Sequence, residues 1–278
     1  MSKNEKETAT KDVHKKKQIA PPKSVAREYF ESFVVTLVMA IFGMTFILQA
    51  VTVPTGSMQN TILIGDYLLV NKFIFAPGGR PIPFFPQREI QQGDIIVFKY
   101  PGFRDGRSER VPPYFTNYVK RVIGMPGDEV EFRNNQVLIN GKLLPEHRII
   151  GDSPVINGER VENAALETKE FEPQTADEKY SVYYSKDTMD TVNKGVKLPT
   201  RQFNYAVAGK PMKVPENQYL VMGDSRDNSE DGRFWGFVDR DLIIGRAMFV
   251  YWSCDGSNGT FLSCITSPRF DRIGKMIK

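Results

Sequence analysis

The chain has 278 residues, 41% of them hydrophobic and 25% charged, with a formal net charge of +4. That length supports one large domain or two small ones with a proper core, and the composition is that of an ordinary globular protein. So weak a positive balance, gathered largely near the N-terminus rather than along a recognition helix, argues against nucleic acid as a partner. Two histidines and two cysteines, without a CxxC pair, are too few for a structural zinc site, so no metal is expected.

Residues 1–32 read as a polar tail, Lys-rich and disordered in its greater part. From Phe33 to Val53 the chain runs FVVTLVMAIFGMTFILQAVTV without a charge, which predicts a transmembrane helix over 33–53. A cleavable signal peptide has an apolar stretch of only about 7–15 residues ending in a small-x-small site. Here the run is longer, and Leu48-Gln49-Ala50 lacks the first small residue. Lys11, Lys15, Lys16, Lys17, Lys23 and Arg27 precede the span, whereas Pro54 to Asn71 contains no Lys or Arg. The positive-inside rule then predicts a single-pass protein of the cytoplasmic membrane, its N-terminus cytoplasmic and everything beyond Val53 extracytoplasmic.

Beyond the span, runs rich in β-branched and aromatic residues predict strands at Asp66–Phe73, Asp94–Tyr100, Tyr118–Gly124, Glu129–Phe132, Gln136–Ile139, Gln218–Met222 and Leu242–Trp252. Asn134-Asn135 and Asn140-Gly141 have the composition of hairpin turns. No convincing amphipathic helix lies between them. A mainly β fold follows, an antiparallel barrel or sandwich built from residues 54–144 and 216–278. Residues 145–215 are polar and weakly patterned, as an inserted cap subdomain would be. The aromatic stretch 73–86 has two readings, a loop dipping into the membrane interface or one folded back on the core. Cys254 and Cys264, ten positions apart, are either a disulfide closing a short loop or two buried thiols.

Three places carry possible chemistry. Ser57, in Pro54-Thr55-Gly56-Ser57-Met58, follows the span closely enough to act at the membrane surface, although those residue types also make a plain turn. A nucleophilic serine needs a base. His147 is the only histidine beyond the span, and it sits at the edge of the weakly patterned insertion. Lys120 is the stronger candidate. Strand alternation places it on one face with Tyr118 and Val122, apolar enough to desolvate an ammonium and lower its pKa, with Arg121 on the other. An exposed strand lysine is the plain alternative. The third place is the loop Gly223–Arg233, whose Arg226, Asp227, Asp231 and Arg233 can brace one another as ion pairs.

PTGSM just after an apolar anchor, then YVKRVIGMPGD, then GDSRDNSEDGRFWGFV resemble the ordered motifs of the bacterial type I signal peptidases, Ser-Lys dyad serine proteases. The resemblance covers the anchor and these three blocks, with almost nothing from the insertion. It implies a membrane-bound endopeptidase that removes signal peptides from secretory preproteins after small residues, at sites of the A-x-A type, without a cofactor. Its partners would be the preproteins and the lipid bilayer.

By that similarity Ser57 is the nucleophile and Lys120 the general base. The Ser57 backbone N–H and the Thr55 hydroxyl form the oxyanion hole, each such donor being worth about 3–4 kcal/mol. Ser229 orients the lysine, and Asp231 with Arg233 braces the last motif. Val53, Met58, Ile62, Tyr118 and Val119 line the shallow substrate pockets. The chain departs from the family where Asn60 replaces a usual proline and Ser225 a common asparagine. Two other functions fit parts of the pattern. A non-catalytic, membrane-anchored β-domain that binds a partner would leave Ser57 and Lys120 unrelated. A self-cleaving, repressor-like Ser-Lys hydrolase would need no anchor.

Overall fold

The computed structural model describes residues 24–76, 83–84, 86–103, 112–156, 159–161, 164–194, 203–254 and 261–278. The Lys-rich segment 1–23 and most of the Pro-rich part of 73–86 therefore lie outside the described residues. The chain divides into an N-terminal unit ending at Phe42 and a second unit, Gly43–Lys278.

The first unit is the helix α1, Val25–Phe42, which runs into a π turn over Gly43–Ile47. Its apolar side chains are exposed, Phe33, Val35 and Met39 among them. Val25–Ile47 is long and apolar enough to cross a membrane, the only such helix among the described residues. Two expectations need correction here. The helix starts inside the segment assigned to the tail, and it does not extend to Val53. Leu48–Thr52 is instead the strand β1, paired antiparallel with β2, Asp66–Asn71, from Leu48 opposite Asn71 to Thr52 opposite Tyr67. Hydropathy alone does not separate an apolar strand from the end of an apolar helix. The β-branched pair Val51-Thr52 suits the strand.

In the second unit, β3 is Ile95–Lys99 and β4 is Asn117–Gly124. The chain then makes a long excursion through nine short strands. The first three are β5 Glu129–Arg133, β6 Gln136–Ile139 and β7 Lys142–Leu143. The next three are β8 His147–Asp152, β9 Val155–Ile156 and β10 Glu159–Arg160. The last three are β11 Glu167–Glu170, β12 Ser181–Tyr184 and β13 Met212–Lys213. It returns as β14 Gln218–Met222, β15 Val238–Asp239 and β16 Ile243–Ser253. The main sheet is antiparallel, in the order β1-β2-β16-β3-β4-β14-β15. Its central strand β3 is buried on both faces. Ile95 and Val97 pack with Val53, Met58 and Ile62, while Ile96 and Phe98 pack with Val122 and Trp235.

The boundaries of the inserted segment also differ from the sequence reading. The chain leaves the main sheet after Gly124 rather than near Pro145. β5, β6 and β7 join β13 in a four-stranded sheet, so part of 145–215 pairs with residues assigned to the core. Both expected hairpin turns form, with Asn134, Asn135, Asn140 and Gly141 all at positive φ. A second sheet, β11-β8-β12, carries the unexpected helix α2, Lys186–Asn193. Ser185 caps that helix by accepting the Thr188 N–H, and Met189 is buried against Val182 and Tyr184. Cys254 and Cys264 form a disulfide.

Candidate active site

Ser57 sits in a single 3-10 turn, Gly56–Met58, just after β1, and all three residues of the turn are buried. Such a turn cannot hold itself, and the loop after β14 grips it. Ser225 N–H donates to the Ser57 carbonyl at 3.1 Å, Asp224 N–H approaches the Met58 Sδ at 3.4 Å, and the Thr61 hydroxyl donates to Asp224 Oδ2 at 2.6 Å. Gly223 makes this approach possible. A Cβ there would lie 2.4 Å from both the Ser57 carbonyl oxygen and Ser229 Oγ, far inside contact distance.

Lys120 projects from β4 on the face shared with Tyr118, and its Nζ lies 5.6 Å from the Tyr118 ring centroid. The side chain is 3% exposed, and Nζ hydrogen-bonds to Ser57 Oγ. Burial lowers the Lys120 pKa from 10.5 to about 8. Asp231 opposes that fall, Arg233 adds to it, and Asp224 and Glu230 oppose it more weakly. An amine at this pKa is partly neutral near pH 8, as a base toward a serine hydroxyl must be.

Ser229 is buried beside the dyad, but its hydroxyl donates to Asp231 Oδ2 at 2.7 Å. The structure therefore ties Ser229 to the carboxylate rather than directly to the lysine. Asp231 also accepts from the Gly223 N–H and, through both oxygens, from the Arg233 guanidinium at 2.8 and 2.9 Å. Burial pushes its carboxyl pKa up, but the Arg233 charge and these hydrogen bonds outweigh that and hold it below the usual value. Asp231 and Arg233 thus brace each other.

Arg226 and Asp227 take partners from elsewhere. Arg226 forms a buried bidentate pair with Glu146, and Asp227 accepts the Ser185 N–H at 2.8 Å. Arg121, next to the lysine, is equally buried. Its guanidinium binds both Asp224 oxygens at 2.8 and 2.7 Å and stacks 4.1 Å from the Tyr180 ring. Arg121, Asp224, Glu146 and Gly223 were not singled out from sequence. Gly223 and Asp224 lie inside the third motif and Arg121 inside the second, whereas Glu146 lies outside all three.

Ser57 and Lys120 open into a cleft of about 800 Å³, lined by Thr52–Met58, Thr116–Lys120, Asp227–Glu230 and Phe234. Val53, Met58, Tyr118 and Val119, the residues assigned to the substrate pocket by resemblance, are on its wall. Ile62 is not. It is fully buried in the core cluster that holds Val53 and Met58. Thr55 is exposed at the cleft. His147 lies in β8, its Nε2 2.9 Å from the Glu172 carbonyl oxygen, and does not line the cleft. β14 pairs with β4 only from Arg121 onward, so Asn117–Lys120 is paired with β3 on one side alone among the described residues. Among the described residues no cluster of His, Cys, Asp and Glu has the make-up of a metal site.

A family model described as signal peptidase, peptidase S26, matches residues 26–252. The signal peptidase I of Aquifex aeolicus (strain VF5) is 30% identical over 282 residues, covering 90% of this chain and 97% of that protein. The Rickettsia typhi signal peptidase I is 31% identical over 245 residues, covering 83% and 81% respectively. The Pseudomonas fluorescens signal peptidase I is 29% identical over 263 residues, covering 89% and 78%.

Proposed function

From the premise that the chain belongs to the signal peptidase family, peptidase S26, we propose that this serine peptidase cleaves preproteins with a Ser57–Lys120 dyad at a membrane surface. Family membership makes it a hydrolase that processes signal peptides, and sets aside the non-catalytic binding module. The observation that carries the mechanism is the contact between Ser57 Oγ and a Lys120 amine buried enough to lie at a pKa of about 8.

The reaction follows from that contact. Neutral Lys120 accepts the Ser57 hydroxyl proton as Oγ attacks the carbonyl carbon at the cleavage site. The resulting oxyanion is met by the Ser57 N–H and the Thr55 hydroxyl at the mouth of the turn. Collapse breaks the C–N bond, and the Lys120 ammonium returns a proton to the departing amine of the mature chain. Lys120 then takes a proton from the water that attacks the serine ester. As that intermediate collapses, the acyl–Oγ bond breaks and Lys120 returns the proton to Ser57 Oγ. The signal peptide leaves with a new carboxyl group that ionises in solution. Ser229 acts through Asp231, keeping a fixed negative charge near Nζ without exposing it to water.

Specificity for small residues at an A-x-A site fits a substrate laid as a strand along Asn117–Lys120, its side chains meeting Val53, Met58, Tyr118 and Val119. Ile62 contributes from behind, by backing Met58. The helix α1 anchors the enzyme in the cytoplasmic membrane, with the Lys-rich N-terminus inside and Ser57 tethered to the outer face. There the bilayer presents the end of a signal peptide.

Cleavage of a purified preprotein in detergent by the wild type, Ser57→Ala, Lys120→Ala and His147→Ala tests this reading. Loss of activity in the first two variants and its retention in the third is expected. Normal cleavage by Lys120→Ala would remove the dyad from the mechanism.

A further inference from the structure

The nucleophile turn is held from two sides, and only one of them belongs to the motif loop Gly223–Arg233. On the other, two consecutive side chains after Met58 reach into the excursion. Gln59 Nε2 donates to the Ala164 carbonyl at 2.6 Å. Asn60 uses both ends of its amide on a single residue: Oδ1 accepts the Leu166 N–H at 2.7 Å, and Nδ2 points to the Leu166 carbonyl at 3.5 Å. The shorter of these two bonds carries the pairing.

Asn60 makes these contacts from a left-handed backbone, φ 70°. Asn tolerates that region, whereas proline, with φ locked near −65°, cannot enter it. The Asn60 backbone turns the chain away from Ser57 while its side chain stands in for the strand partner that Leu166 would otherwise lack. Leu166 is itself wedged. A Cβ at Gly151 would come within 2.9 Å of Leu166 Cδ1, so the leucine packs directly on β8. A continuous path thus runs from Ser57 through Asn60 and Leu166 to the second sheet. Asn60 does not line the cleft, and neither does Leu166.

We propose that Asn60 is a positioning residue for the reaction: its amide locks Leu166 onto the nucleophile turn and so fixes Ser57 Oγ against Lys120. The inserted segment is then part of the catalytic apparatus rather than a passive cover. This rests on the Ser57–Lys120 reading above. Because Asn60 touches neither substrate nor the base, its loss acts on turnover, not on substrate binding or on the titration of Lys120.

The test compares full-length wild type, Asn60→Gly, Asn60→Asp and Ser57→Ala in detergent on one preprotein. In parallel, a serine-reactive peptide aldehyde counts competent sites. Glycine keeps the positive φ and removes the amide. Aspartate keeps the acceptor for the Leu166 N–H. We expect Asn60→Gly to lower kcat about tenfold with KM within about twofold of wild type, the apparent pKa of the pH profile unmoved and the titratable site fraction unchanged. Asn60→Asp should restore most of that loss. Wild-type kcat in Asn60→Gly, a loss that merely tracks the titrated fraction, or an Asn60→Asp variant as slow as the glycine variant would overturn the proposal. Cleavage by Ser57→Ala would instead overturn the dyad on which it rests.

Discussion

With Lys120 as the proposed base, its burial sets the expected pH dependence of cleavage. With a pKa of about 8, Lys120 is half neutral at pH 8, whereas a solvated lysine at 10.5 would be only about 0.3% neutral there. Neutral base falls to about 9% at pH 7 and about 1% at pH 6. The profile of kcat/KM, which reports the free enzyme, should therefore rise about tenfold per pH unit below pH 7 and level off above about pH 9. Glu230→Gln gives the sign an independent check. Glu230 lies on the cleft and favours the ammonium, so removing its charge makes the proton easier to lose. Being exposed, it is screened, and the profile should move only slightly, to lower pH. Initial rates on a fluorogenic signal-peptide substrate in a constant-ionic-strength buffer from pH 5 to 10 measure both. A rate undiminished below pH 6, or a Glu230→Gln profile displaced upward, would refute the buried-amine mechanism.

Three further outcomes follow from the packing. Gly223→Ala forces a methyl into the space occupied by the Ser57 carbonyl and Ser229 Oγ, so cleavage should drop at least about 100-fold. The accompanying fall in stability should be only about 1–3 kcal/mol, and a melt run beside the activity assay separates the two. Lys120→Met removes a burial penalty carried by the ammonium. That penalty is absent above pH 10.5, grows as pH falls toward 8 and is constant below, amounting to about 3 kcal/mol. Thermal denaturation in detergent should show this inactive variant more stable than wild type at pH 7, with the advantage vanishing near pH 10.5. Cys254→Ser with Cys264→Ser opens a loop with a sequence separation of 10 and should cost about 3 kcal/mol of stability. It should leave kcat unchanged, because the bridge does not line the cleft.

What was legible in the chain is what local chemistry dictates. The alternation around Lys120, the hairpin asparagines and the strand Gln136–Ile139 declare themselves within a few residues. Ser57 and Lys120 emerge from the order of three motifs that the fold brings to one cleft. The strand β1 did not show itself, because Leu48–Thr52 continues an uncharged, largely apolar run. The helix α2 was hidden by its polarity, since Met189 is its only buried side chain. Least visible were the pairings across the fold. Arg121 finds Asp224 103 positions away and Arg226 finds Glu146 80 positions away, and nothing local marks either partnership. The same holds for the Ser229 hydroxyl, whose capture by Asp231 depends on how the loop closes.

The dyad itself is tested most directly by mapping a covalent adduct. A peptide bearing small residues and an electrophilic aryl ester at the cleavage position would be incubated with the wild type and with Lys120→Met, then the acid-quenched protein digested and weighed. The account predicts one acyl adduct, on the peptide containing Ser57, forming at a rate that follows the neutral fraction of Lys120 and failing to form in Lys120→Met. An adduct on another residue, or equal acylation of Ser57 without the lysine, would contradict it.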